Sequence, residues 1–321
     1  MRRCLLLFAT LALIISTFSS IQAQTPEAAI KLFKNALKKT EKGDLDGAVE
    51  DYTRAITLSS SLQTRQSSTR VSSNSFAAGS EAVDDSSESI TVVDPFTANA
   101  YNNRGLIRYR KGDYTGALED FNTALRIRPG LAEAYLNRAA TLVATGNKLN
   151  AIKDLDRAIA LKKDFFQAYS NRGSLHHDIG NDKEALADLN RAVELNDGVA
   201  DTFYHRGYAH LAVNSFDASY KDFTRAIEMS PNMAWAYQGR GTALMKKGLV
   251  EKAIEDFDRA LELNPEIIWA YFNRGLAKVY LGKEAEAQSD FAAVLKMNPD
   301  LKDQVKNKIE LARFLRFAPK E

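Results

Sequence analysis

Twelve charged residues recur along this sequence at one fixed spacing. Arg104, Arg138, Arg172, Arg206, Arg240 and Arg274 are each followed sixteen residues later by an acid: Asp120, Asp154, Asp188, Asp222, Asp256 and Asp290. An acid beside a base can move a proton, but a catalytic centre is assembled once. A pair repeated six times at one period describes a ladder of structural ion pairs instead. The spacing leaves open whether each arginine meets the aspartate of its own segment or of the preceding one.

Other reactive chemistry is sparse. Cys4 is the only cysteine, and the four histidines (His176, His177, His205 and His210) have no cysteine or glutamate at metal-ligand spacing. No glycine-rich phosphate loop, nucleophile elbow or His-Glu metalloprotease motif occurs. No enzymatic activity, metal or cofactor is expected. A second series stands one residue before the arginines: Asn103, Asn137, Asn171, His205, Gly239 and Asn273. A carboxamide both donates and accepts, which matches the paired N–H and C=O of an extended peptide whatever its side chains.

The elements that must position these residues follow from the same register. Tyr101, Tyr135, Tyr169, Phe203, Tyr237 and Tyr271 recur every 34 residues, each followed four residues on by Gly105, Ala139, Gly173, Gly207, Gly241 or Gly275. Ala117, Ala151, Ala185, Ser219, Ala253 and Ala287 come sixteen residues after the aromatic, and Phe121, Leu155, Leu189, Phe223, Phe257 and Phe291 twenty after it. These spacings define two amphipathic helices per unit, the small residues allowing the backbones to approach. Gly112, Gly146, Gly180, Gly248 and Gly282, with Asn214 as the exception, fall where the first helix must end in a left-handed residue. Pro129, Pro231, Pro265 and Pro299 mark the end of the second helix.

Period, aromatic, glycine, alanine and terminal proline together resemble the tetratricopeptide repeat family over residues 98–299. A weaker first unit covers 29–62, with Leu32, Gly43, Ala48, Tyr52 and Ala55 in register and Asn35-Ala36 in place of the Arg-Gly pair. The resemblance implies an all-α fold, a right-handed α-α superhelix or solenoid of helical hairpins whose concave groove holds polypeptide. The arginine series departs from the family pattern, which is usually apolar at that position.

The asparagine series lies two residues from the aromatic, about 200° around the first helix and away from the face that packs within the hairpin. It is similar to the asparagine ladder of the O-linked N-acetylglucosamine transferases, which holds acceptor polypeptides. Two readings stay open: a track for peptide backbone, or a solvated polar position. Neighbouring groove positions include Tyr109, Leu136, Tyr204, Tyr208, Trp235, Met245, Trp269 and Phe272, an expected apolar anchoring patch. His176 and His210 are expected on the packed face, and His177 and His205 toward the groove. The partner-binding set is thus Asn103, Asn137, Asn171, His205, Asn273, Tyr204, Tyr208, Trp235, Trp269 and Phe272, and the partner a protein or peptide. The lysine clamp by which some family members hold a terminal carboxylate is missing.

Outside the array, Arg2 and Arg3 precede an apolar run from Leu5 to Ile15 and small residues to Ala23, the pattern of a signal peptide over 1–23. An exported protein, periplasmic or secreted, is expected; an uncleaved signal acting as an anchor is the alternative, and the only membrane contact foreseen. Cleavage lowers Lys+Arg from 43 to 41, against 41 acids, so the mature chain is neutral and nucleic acid is not an expected partner. Polar, aperiodic residues 63–97 predict a disordered Ser-rich insertion, with a decayed repeat as the alternative. Leu301, Val305, Ile309, Ala312 and Leu315 predict a capping helix within 300–321. A scaffold or adaptor follows from this reading. The alternative is a structural subunit of a cell-envelope assembly that uses its convex face and C-terminal helix. Oligomeric state is not legible.

Overall fold

The computed structural model of the chain describes residues 27–74 and 95–317, and every regular element among them is a helix. The signal segment 1–23 and residues 75–94 of the expected insertion lie outside the described residues. No helix among the described residues is long and apolar enough to cross a membrane. The helices divide into two compact units at Asn171 and Arg172.

The first unit holds α1 (Glu27–Glu41), α2 (Leu45–Asn74), α3 (Pro95–Arg110), α4 (Tyr114–Ile127), α5 (Ala132–Ala144), α6 (Lys148–Leu161) and the start of α7 (Phe166–Asp178). Consecutive helices pair as hairpins, and each hairpin packs on the next: α2 against α3, α4 against α5. Phe33, Tyr52 and Phe96 build the first core, with Phe33 edge-on to Tyr52 at a centroid distance of 5.2 Å. The α2 helix corrects the expectation for the insertion, because it continues through residues 63–74. No proline or glycine stands between Ala48 and Asn74, so the helix started by the hairpin meets no breaker there.

The second unit holds the rest of α7, then α8 (Asp182–Leu195), α9 (Ala200–Ala212), α10 (Phe216–Met229), α11 (Ala234–Lys246), α12 (Val250–Leu263), α13 (Ile268–Tyr280) and α14 (Glu284–Met297). A 3-10 turn, Pro299–Leu301, leads into α15 (Lys302–Phe317), which packs on α13. First helices also lie beside one another, α9 by α11 and α11 by α13, so their outward sides form one continuous face. Second helices carry the large core residues: Phe223 and Phe257 are fully buried. A Cβ on Gly241 would sit 2.7 Å from Phe257 Cε1, so the ring fills the space a side chain there would need.

Six first helices end in a glycine at positive φ, and Asn214 takes that place at φ 58°. Its neighbour closes the turn: the Ser215 amide donates to the His210 carbonyl at 2.8 Å, satisfying a carbonyl at the helix end. At the C-terminus, Leu301, Val305 and Ala312 bury against Phe272, Val279 and Phe291, while Leu311, Phe314 and Leu315 remain exposed on α15.

Candidate peptide-binding face

Each arginine of the ladder meets the aspartate of its own hairpin, which resolves the pairing. Arg138 donates from Nε and Nη2 to both carboxylate oxygens of Asp154 at 2.7 and 2.6 Å, and Arg240 does the same to Asp256 at 2.8 and 2.7 Å. Arg104–Asp120, Arg172–Asp188 and Arg206–Asp222 repeat this fork, and Arg274 reaches Asp290 at 2.5 Å. The aspartates are buried and the guanidinium carbons of Arg104, Arg138, Arg206, Arg240 and Arg274 stack 5.2–5.5 Å over the aromatic three residues earlier. A third nitrogen reaches back to the preceding hairpin: Arg104 Nη1 to Thr53, Arg138 to Asn122, Arg206 to Asn190 and Arg274 to Asp258. The fork therefore closes one hairpin and its remaining arm ties that hairpin to its neighbour.

The asparagine series does not lie where the 200° offset places it. Asn103, Asn137 and Asn171 are 0, 5 and 7% exposed, so no open row of carboxamides exists in the first unit. A first helix here packs on two sides, once against its own second helix and again against the first helix of the neighbouring hairpin, and this position falls in the second seam. Asn137 Nδ2 donates to Asn102 Oδ1 at 3.0 Å, Asn102 to Asn103 Oδ1 at 3.2 Å, and Asn103 to the Tyr52 hydroxyl at 3.5 Å. These carboxamides join hairpins to one another. Burial also raises the Tyr52 phenol above its ordinary range, so it stays a neutral partner. Leu136 and Phe272 are core residues as well, each 4% exposed.

In the second unit the same seam is partly open. His205 and Asn273 are half-buried. His205 Nδ1 lies 3.2 Å from Ser174 Oγ, and Asn273 Nδ2 donates to Thr242 Oγ1 at 3.3 Å. Burial lowers the His205 imidazole to about 4, keeping it neutral at physiological pH. The Tyr208 hydroxyl donates to Gln238 Oε1 at 2.6 Å, and Gln238 Nε2 donates to Thr242 at 3.1 Å, a polar chain running from α9 through α11 to α13. The ladder is interrupted at Gly239 because a Cβ there would collide with the Phe223 ring.

Beside this chain lies a half-buried aromatic surface. Tyr204 sits edge-on to Tyr208 at 5.1 Å, Trp235 occupies the first turn of α11, and Trp269 the corresponding turn of α13, backed by Phe272 at 5.5 Å. Met245 is half-buried at the far end of α11. Of the expected histidines, His177 is half-buried and 2.5 Å from Asp182, while His176 and His210 are half-buried with an interior Nδ1.

Three features escaped the sequence reading: Gln238, Thr242 and Asp201. Asp201 is half-buried in the first turn of α9, where burial raises its carboxyl to about 6. Its repeat position carries Asn99, Glu133, Gln167, Trp235 and Trp269 in the other units, and that variation against a constant frame is the one signal in the sequence by which it could have been found.

Hairpins stacked by equivalent surfaces define a helical repeat scaffold. Tetratricopeptide repeat family models match residues 105–146, 136–200, 200–233, 234–267 and 270–301, and the chain belongs to that family. No curated protein matches it. Among solved structures, a tetratricopeptide repeat protein from Parabacteroides merdae is 20% identical, with a TM-score of 0.57 over 89% of this chain and 99% of that one. Pseudomonas aeruginosa pilF is 17% identical, with a TM-score of 0.59 over 66% of this chain and 97% of that one. The Cut9-Hcn1 hetero-tetramer of the APC/C is 16% identical, with a TM-score of 0.60 over 67% and 42%. These likenesses bear on the fold alone.

Proposed function

We propose that the chain is an exported, non-catalytic adaptor that holds an extended segment of a partner polypeptide on the face formed by α9, α11 and α13. The observation that carries this reading is the placement of both tryptophans of the chain, Trp235 and Trp269, half-buried at the same repeat position on adjacent first helices. Aromatic side chains held partly open and backed by core residues such as Phe272 are suited to anchor a ligand with little loss of rotamer freedom. The Tyr208–Gln238–Thr242–Asn273 chain, with Gln238 buried, ties α9, α11 and α13 together beneath that surface. The buried asparagines of the first unit have no part in it.

Trp235→Ala and Trp269→Ala should each weaken capture of a partner from cell-envelope extract at least tenfold while thermal melts stay within a few degrees of wild type. Binding unchanged in both variants overturns the reading.

A second reading, a structural subunit of an envelope assembly, is favoured by one observation: Leu311, Phe314 and Leu315 are 45, 70 and 48% exposed on α15. Loss of partners on removing 302–321, with capture indifferent to both tryptophan variants, would favour it.

A further inference from the structure

The carboxylates of the second unit follow a rule with one exception. Asp188, Asp222, Asp256 and Asp290 are held by ladder arginines, Asp258 by Arg274, Asp182 by His177 and Glu284 by Arg313. These are its other buried or half-buried acids among the described residues, and each has a cationic or imidazole partner. Asp201 is half-buried too, yet only desolvation, its own backbone and the N-terminal turn of α9 act on it, and no basic side chain among the described residues pairs with it. A partly desolvated charge without a counter-ion is unfavourable, and proteins retain such groups where a ligand supplies the missing charge.

Its surroundings suit one kind of ligand. Tyr204 lies one turn further along α9 and Tyr208 another, at the i, i+3 and i+7 positions that share a helix face. The Tyr208 hydroxyl is 3.3 Å from the Trp235 carbonyl, so the first turn of α11 adjoins the same surface. His205, one turn from Asp201, adds no charge at neutral pH. A carboxylate that shares a helix face with aromatic side chains can receive an ammonium or guanidinium group, by ion pairing and by the negative faces of the rings.

We infer that the polypeptide held on this face carries a lysine or arginine side chain, received by Asp201 and Tyr204, next to an apolar side chain seated at Trp235. The inference rests on the peptide-binding reading of α9, α11 and α13 and narrows its ligand class.

The test is selection of random twelve-residue peptides displayed on phage against the full chain, against Asp201→Asn, Asp201→Lys and the two tryptophan variants. Wild type should enrich peptides with a basic residue beside an apolar one. Asp201→Asn should lose the basic preference, with a selected lysine peptide binding about tenfold more weakly. Asp201→Lys should turn the preference toward acidic residues. Circular dichroism on each variant separates misfolding from recognition, and Asp201→Asn keeps the side-chain shape. If peptides are selected through the tryptophans with no basic preference, or with one that persists in Asp201→Asn and Asp201→Lys, the cation inference falls and the peptide-binding reading stands. If no peptide is selected, or selection ignores both tryptophans, the underlying reading falls and takes the inference with it.

Discussion

At the scale of single residues, charges here are either clamped or left waiting, and the two kinds respond oppositely to substitution. Arg240 and Asp256 are clamped: removing either strands the other in the interior, so Arg240→Ala and Asp256→Ala should each cost about 3 kcal/mol. The double variant should cost clearly less than the sum, and chemical denaturation of the four proteins measures that coupling. Asp201 behaves the other way. Its carboxyl titrates near 6 when folded, against about 3.9 unfolded, so as pH rises from 4 to 6 the unfolded state ionises first and the folded state loses stability. A shift of this size corresponds to at most about 3 kcal/mol, which partial exposure reduces to about 1 kcal/mol. The helix macrodipole is already set against it, since it acts on the same folded carboxyl. Asp201→Asn should therefore match wild type at pH 3.5 and exceed it by about 1 kcal/mol above pH 6.5, as read by urea denaturation across that range. A variant no more stable at neutral pH would show that the carboxylate is well solvated.

At the scale of helices, the hairpin joints set the register. Asn214 holds φ 58° without the freedom of glycine, so Asn214→Gly should be neutral or slightly stabilising. Asn214→Ala should lower stability by about 1 kcal/mol through left-handed strain, and thermal melts distinguish the two. These joints were legible from sequence because glycine, proline and the aromatic–small alternation report directly on backbone geometry. The α2 extension was not, since a polar helix without an apolar stripe has no period to detect. The asparagine seam escaped for another reason. Counting angles around one helix locates the face that packs inside a hairpin, but Asn103 and Asn137 are buried by contacts with the preceding hairpin, at Tyr52 and Asn102. Asp201 escaped because a search for periodicity passes over the positions that vary.

At the scale of the whole molecule, contacts run between neighbours along the chain, and a protein built that way need not unfold in one step. Both tryptophans lie in the second unit, so their fluorescence follows α11 and α13, whereas circular dichroism follows every helix. The urea transitions seen by the two probes should fail to coincide; superimposable curves would establish a single cooperative fold.

The backward-reaching arm of Arg104, Arg138, Arg206 and Arg274 also makes the units interchangeable parts. The residues it meets, Thr53, Asn122, Asn190 and Asp258, share a repeat position and all present a side-chain oxygen, and Thr224 fills that position in α10. Excising 234–267 would bring Arg274 opposite Thr224 rather than Asp258, the place Arg240 now holds with its fork closed on Asp256 while the Thr224 hydroxyl donates to the Tyr220 carbonyl. The joint is thus a common thread pitch: a chain of this kind can be shortened or lengthened by one 34-residue unit without a new interface, and its ligand surface can gain or lose a tryptophan in the same cut.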